Sequence, residues 1–365
     1  LPVSETLPAW LLAPLSHALQ NTRGHALLVH GPSGVGQFEL AFALACTWLC
    51  EGEASMRPSG RACGACGACR LIASRTHPDL LVLVPEALQQ ALGWSTTEEV
   101  ADGEGGKGRK PSKEIRVEAV RAAVAFAQQT STRGGVKVCL LYPAERINAT
   151  SANMLLKTLE EPPGGARFIL ASAAPQRLLP TVRSRCQALR LPLPSTQEAV
   201  EWLQAQGVDQ PEVLLAAAGG APLEALERLS LGVTADAWQR LPREVQAGHA
   251  TTLAAWPLPV AINALQKLCH DALTLAVGAA PRYFAPTGMA AGGDVPRLTA
   301  CGALLRTEMR HAEHPWNAAL GIEALVQQVR RAMQGATTGP TLSQVARSAG
   351  SNRAGNARAV GTLKS

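Results

Sequence analysis

Apolar positions in the first half of the chain follow two alternating patterns. Runs dense in Leu, Val, Ile and Ala at residues 26–29, 80–84, 136–141 and 167–171 are too short for helices and read as buried strands. Stretches between them, such as residues 39–50, carry helical spacing. Strands alternating with helices predict a three-layer α/β domain around a largely parallel sheet. After about residue 194 the strand signals fade, and helical patterns at 198–206, 211–218, 258–277 and 320–333 take over.

This change of pattern divides the chain into an α/β domain at residues 1–193, a small helical segment at 194–236 and a larger all-α region at 237–335. Residues 93–112 interrupt the first domain with glycine and charge, including Asp102-Gly103-Glu104-Gly105-Gly106-Lys107-Gly108-Arg109-Lys110. Such a stretch buries too little apolar surface to offset its ordering entropy, so a mobile surface insertion is expected. Residues 281–296 form a Pro/Gly-rich interruption. Residues 336–365 read as a disordered basic tail rich in Gly, Ala, Ser and Arg.

Composition narrows the class. With 365 residues the chain is long enough for two or three cores, and 47% hydrophobic with 17% charged residues describes a globular protein. No apolar run approaches the roughly 20 residues that span a bilayer, and the first residues carry no charged segment followed by an apolar signal core, so a cytoplasmic protein with no membrane partner is expected. A net charge of +6 fits work near nucleic acid, although the tail supplies part of it. Aromatic residues, at 4%, are too few for base stacking to be the principal function.

Two motifs carry candidate chemistry. Gly31-Pro32-Ser33-Gly34-Val35-Gly36-Gln37-Phe38 joins the first strand to the first long helix as a phosphate-binding loop would. Such a loop needs a lysine to reach the terminal phosphates and a hydroxyl to hold magnesium. Gly31, Gly34 and Gly36 are kept, but Gln37 stands where the lysine belongs and Phe38 where the hydroxyl belongs. The second motif is Cys63-Gly64-Ala65-Cys66-Gly67-Ala68-Cys69, three of nine cysteines at two-residue spacing. With a fourth ligand it would form the tetrahedral thiolate shell of a structural zinc, in a module at about residues 46–79. Cys50 is the best fourth ligand; Cys46 and His77 are the alternatives.

The segment Ser151-Ala152-Asn153-Met154-Leu155-Leu156-Lys157-Thr158-Leu159-Glu160-Glu161-Pro162-Pro163 is followed by Phe168-Ile169-Leu170-Ala171 and then by Ser184-Arg185-Cys186. These motifs resemble the AAA+ clamp-loader family. The likeness extends through the glycine loop, the cysteine cluster, Thr76-His77-Pro78-Asp79 and Ile115-Arg116, covering roughly the first 190 residues. It implies a RecA-like AAA+ domain with an inserted zinc module, a helical lid at 194–236 and a helical collar for oligomerisation at 237–335.

The resemblance also sets expectations for chemistry. The strand at 136–141 should end in an Asp-Glu pair, but Tyr142-Pro143 follows, and Glu145 comes too late to substitute. The family's sensor arginine falls near Leu223. Three parts of the hydrolysis machinery are therefore missing, and neither ATP binding nor intrinsic turnover is expected. Arg185 is retained, and in the family this arginine reaches ATP on a neighbouring subunit as a finger; Arg183 lies close by. The implied role is a non-catalytic subunit of the DNA polymerase III clamp loader, beside the gamma/tau motor subunits and the delta subunit, helping to load the sliding clamp onto primed DNA. Two alternatives stand against it: an active AAA+ motor, distinguished by turnover in isolation, and a zinc-containing DNA-binding module, distinguished by tight DNA binding without motor partners.

Overall fold

The computed structural model describes residues 7–57, 60–94, 111–289, 293–312 and 318–334. Most of the expected insertion at 93–112 and the whole expected tail at 336–365 lie outside the described residues. The chain divides into two compact units, Leu1–Pro211 with Gly220–Glu227, and Glu212–Gly219 with Arg228–Ser365.

The first unit is built on five strands: β1 (Ala26–His30), β2 (Leu80–Leu83), β3 (Val138–Leu141), β4 (Arg167–Ser172) and β5 (Gln187–Arg190). Their order is β2-β3-β4-β1-β5 and every pair is parallel. Alternate residues go to opposite faces, as the two-residue period of a strand demands. Leu27, Val29, Val138, Leu140, Ile169 and Ala171 pack with Leu11, Leu15, Leu40 and Leu44, from helices Ala9–Asn21 and Gln37–Leu49. Ala26, Leu28, Cys139, Leu141, Phe168 and Leu170 pack with Val120, Ala123, Ala152 and Leu155, from helices Val117–Gln128 and Ala149–Glu160. A sheet buried on both faces explains why its strands read as continuous apolar runs. The C-terminal ends of β1, β3 and β4 lie side by side, the usual place for a site in a parallel sheet.

Four of the strands fall where the apolar runs predict them, with boundaries shifted by one or two residues. The fifth, Gln187–Arg190, was not anticipated: only Leu189 is buried, so the segment carries almost no apolar signal. The helix after the glycine loop begins at Gln37, two residues early, because Gly36 serves as its N-cap.

The second unit is all helical among its described residues. Helices Ala235–Ala247, Leu258–Ala276, Val295–His311 and Ala318–Met333 enclose a core in which Trp238 stacks on Phe284 with ring centroids 4.6 Å apart. One buried acid organises the Pro/Gly-rich interruption. The fully buried Asp271 carboxylate accepts backbone N–H bonds from Arg282 (3.0 Å), Tyr283 (2.7 Å) and Phe284 (2.8 Å), satisfying donors that no regular element would. No helix among the described residues is long and apolar enough to cross a membrane.

Candidate functional site

The loop from Gly31 to Phe38 leaves the C-terminal end of β1 and turns into the helix Gln37–Leu49. Gly34 and Gly36 have φ of 75° and 105°, the left-handed region that only glycine adopts without strain. Around them the loop is crowded by its own chain. A Cβ on Gly34 would lie 2.6 Å from the backbone nitrogen of Glu224, and one on Gly36 would lie 2.6 Å from Leu11. Gly31 is likewise closed in by the Leu191 carbonyl.

Each position that should handle phosphate or magnesium is occupied by something else. The Gln37 amide donates to the carbonyls of Gly31 (2.8 Å) and Pro32 (2.6 Å), so it staples the loop where a lysine would carry charge. Phe38 is buried, stacked on Phe42 and tilted against Tyr142, with ring centroids 6.0 and 5.2 Å away. Tyr142 itself directly follows β3, so an aromatic pair fills the corner where a hydroxyl and an acid would meet a cation. Glu145 is turned to another use, accepting the Ala173 N–H at 3.3 Å. Leu223 brings no cation, and its backbone N–H donates to the Gly34 carbonyl at 3.1 Å. Trp10 completes the enclosure, its indole N–H donating to the Val35 carbonyl at 2.9 Å. The staple by Gln37 and the contribution of Trp10 were not legible from the motif, which showed only what was lost.

Arg185 sits on the turn between the short helix Pro180–Arg183 and β5, partly exposed. Its Nε donates to Glu160 Oε1 at 2.6 Å and its Nη1 to the Thr181 carbonyl at 2.8 Å. Glu160 is the last residue of the helix Ala149–Glu160, which Asn148 caps by accepting the Ser151 N–H at 2.9 Å. Arg183 is exposed, as are Asn153 and Lys157, while Leu156 packs against the core.

The structure brings Cys50, Cys63, Cys66 and Cys69 together, with all four Sγ atoms within 4.8 Å of one another. Cys50 follows directly on the helix Gln37–Leu49, and Cys66 caps the helix Gly67–Ala73. Two Sγ–Sγ separations of 4.0 Å approach the edge of about 3.8 Å that tetrahedral bonds of about 2.3 Å would give. Backbone N–H groups of Cys63, Cys66 and Cys69 point at the sulfurs of Cys50, Cys63 and Cys66 at 3.3 to 3.4 Å, which favours thiolates. The amides of Ala65 and Cys66 pull the Cys63 thiol down to about 6. These donors fit a metal ion. Cys46 and His77 are not in the cluster: Cys46 packs in the sheet-facing core, where burial pushes its thiol up to about 12, and His77 Nδ1 accepts the Asp79 N–H.

Two residues that the motif reading left without a role anchor this module. Arg133 donates Nε and Nη2 to the two oxygens of Glu51, at 2.5 and 2.8 Å. Asp79, 1% exposed, accepts from the Ser131 hydroxyl and from the backbone N–H groups of Thr132 and Arg133, and pairs with the buried Lys137 at 3.4 Å. Burial alone would raise the Asp79 pKa, but these donors outweigh it and hold it below the usual value. Asp79→Ala is expected to cost about 3 kcal/mol, because it takes the carboxylate from the buried Lys137 and the acceptor from three part-buried donors. The sign of the pH dependence follows from the lowered pKa. The contribution is complete above the unfolded value of about 3.9 and is lost as pH falls through the folded one. Urea unfolding should therefore show a gap between wild type and variant that is full at pH 7 and narrows below about pH 4; a gap independent of pH would contradict the ionic role.

The family model described as "DNA polymerase III, delta subunit" matches residues 11–195, half of the chain. A DNA polymerase III subunit delta' from Pseudomonas aeruginosa is 42% identical over 214 residues, which span 57% of each chain. The Escherichia coli K12 subunit delta' is 33% identical over 290 residues, 77% of each chain. A DNA polymerase III subunit tau from Salmonella typhimurium is 31% identical over 167 residues, covering 46% of this chain and 21% of that one. Among solved structures, a DNA polymerase III gamma subunit-related protein from Thermotoga maritima is similar at 15% identity and a TM-score of 0.44, covering 89% of this chain. On the extent of the family-model match and of the E. coli alignment, the chain belongs to the family of DNA polymerase III delta' subunits.

Proposed function

We propose that this chain is a clamp-loader subunit that keeps the architecture of an ATP site without its chemistry. Residues 194–236 serve as the lid and 237–335 as the collar of a ring assembled with gamma/tau motor subunits and a delta subunit. Within that ring the chain contributes rigid geometry and Arg185 while the motor subunits hydrolyse ATP to load the sliding clamp onto primed DNA. Zinc, held by Cys50, Cys63, Cys66 and Cys69, has a structural role only, because all four positions are protein ligands and none is left open for water.

The observation that carries this reading is the substitution of every phosphate- and magnesium-handling position by a group that packs. Gln37 staples the loop, Phe38 and Tyr142 fill the cation corner, and Leu223 bonds the loop through its backbone. Phosphate transfer needs a cationic side chain at two of these points and a hydroxyl and an acid to hold magnesium at the other two, and none of the four residues supplies its part.

Calorimetry of the isolated chain with Mg-ATP is expected to show no saturable binding up to the millimolar range and no turnover. Mixed with motor and delta subunits, the same chain is expected to co-elute as one complex and restore clamp loading on primed DNA. Turnover by the isolated chain would favour an active motor, and tight DNA binding without association with motor subunits would favour a separate DNA-binding module.

A further inference from the structure

Outside the zinc module, the helical unit holds a second pair of thiols. Cys269, on the helix Leu258–Ala276, and Cys301, on Val295–His311, have sulfurs 3.6 Å apart, both buried between the packed helices. The pair is asymmetric in two ways. Cys269 donates its S–H to Cys301, and a thiol that accepts a hydrogen bond is the one whose thiolate is favoured. Cys301 also lines a surface cavity of about 460 Å³, whereas Cys269 does not. The same cavity is lined by Arg297, Arg331 and Gln328. Arg331 Nε donates to the Gln327 carbonyl at 3.2 Å, and Arg297 holds a partly exposed pair with Asp294 at 3.2 Å, an interaction weak enough to exchange for another carboxylate.

We propose that Cys301 and Cys269 form a thiol–disulfide exchange site for small carboxylate-bearing disulfides, with Cys301 as the entry thiol and Cys269 as the resolving one. In the first step the Cys301 thiolate attacks one sulfur of the incoming disulfide. A Cys301–S–S–R bond forms, the original S–S bond breaks, and the departing thiolate takes up the proton released from Cys301. In the second step the Cys269 thiolate attacks Cys301 Sγ, expelling the remaining R–S⁻, which takes the proton of Cys269. Two protein thiols are oxidised to one disulfide, and one small disulfide is reduced to two thiols. The sulfurs must close from 3.6 Å to about 2.05 Å, and the product ties the two helices covalently. Arg297 and Arg331 supply the preference for an anionic disulfide.

The test uses the full zinc-loaded chain and oxidised glutathione as the probe, with thiol-by-thiol peptide mapping under non-reducing conditions. The expected result is a Cys269–Cys301 crosslink formed ahead of any modification of Cys139, which is equally apolar in setting but has no partner thiol. Cys269→Ser should trap the Cys301–glutathione mixed disulfide, and Cys301→Ser should leave Cys269 unmodified. The double variant Arg297→Gln/Arg331→Gln should slow exchange with oxidised glutathione at least about threefold and leave exchange with neutral hydroxyethyl disulfide unchanged. If the serine variants fail to fold, the wild-type crosslink and the charge comparison still decide. Cys301 reacting no faster than Cys139, or equal slowing with both disulfides, would overturn the proposal.

Discussion

Chelation of the zinc site is expected to release one metal ion per chain and to unravel the segment between Glu51 and Cys69 while the parallel sheet stays folded. The magnitude follows from what the metal replaces. The segment from Cys50 to Cys69 has little apolar content of its own; residues 51–62 are dominated by Glu, Gly, Ser, Arg and Pro. Its order comes from four sulfurs within 4.8 Å, and structural zinc in such sites is bound with about 10 kcal/mol or more. Part of that energy orders the loop, and the Glu51–Arg133 and Asp79 contacts hold the remainder of the module to the sheet. A loss of at least about 3 kcal/mol in the first unit should lower its melting temperature by roughly 10 °C. Cys63→Ser should reproduce the chelator effect, with new proteolytic cleavage within residues 51–62. Cys46→Ser and His77→Ala should keep one zinc per chain, since neither side chain belongs to the cluster. Elemental analysis that found no zinc in chain purified without added metal would sink this reading, and zinc retained by Cys50→Ser but lost from His77→Ala would reassign the fourth ligand.

How much of the molecule could be read in advance depended on whether its cause was local. Strands β1, β3 and β4 announce themselves because interior strands of a parallel sheet buried on both faces need consecutive apolar residues, and the edge strand β2 does so because its four residues are all Leu or Val although only Leu83 is buried. The edge strand Gln187–Arg190 buries one side chain and announces nothing. The four cysteines are legible because spacing alone brings three of them onto one turn. Asp79 is not, since its partners lie 52 to 58 residues further along and no local pattern links them. Asp271 is a similar case: an acid in an apolar helix looks misplaced until residues 282–284 are seen to need an acceptor. The glycine loop lies between these extremes. Its missing lysine and hydroxyl could be read directly, but the Gln37 staple depends on how the loop folds back on its own carbonyls, and the packing of Phe38 on Tyr142 depends on a contact with the residue that follows β3.

Those contacts give the degenerate site a physical rationale. A phosphate loop emptied of ligand would leave helix N-terminal amides and a cationic lysine facing a cavity, both costly unless solvated or paired. Substituting a neutral amide that bonds to loop carbonyls, and aromatics that pack, removes the lysine's share of that cost and ties the loop to its surroundings. On the proposed reading, a loop held this way would keep one conformation whether or not nucleotide is present, which would suit a fixed member of the ring.

Arg185→Ala, in the reconstituted clamp loader, is expected to leave assembly intact and to slow ATP hydrolysis at the adjoining motor site by about 10³-fold, equivalent to about 4 kcal/mol of barrier. In the isolated chain Arg185 is not idle, for it is held by Glu160 and the Thr181 carbonyl. That pair is partly solvent-exposed, and such pairs contribute no more than about 1 kcal/mol, far less than a finger supplies to phosphoryl transfer. On the proposed reading, so weak a pair would cost little to give up when a neighbouring subunit presents its phosphate, and until then it holds the guanidinium at its turn. Three companion variants separate this role from a structural one. Arg185→Lys should recover only part of the rate, because an ammonium lacks the planar fork of the guanidinium. Glu160→Gln should not reduce the rate, since it removes the competitor rather than the finger. Arg183→Ala should be silent in hydrolysis, its side chain being exposed on the preceding short helix. Single-turnover hydrolysis at the adjoining site is the measurement to make, because total steady-state turnover also counts motor sites that Arg185 does not reach. An unchanged rate at that site with Arg185→Ala would remove the finger role and leave the arginine as a surface partner of Glu160.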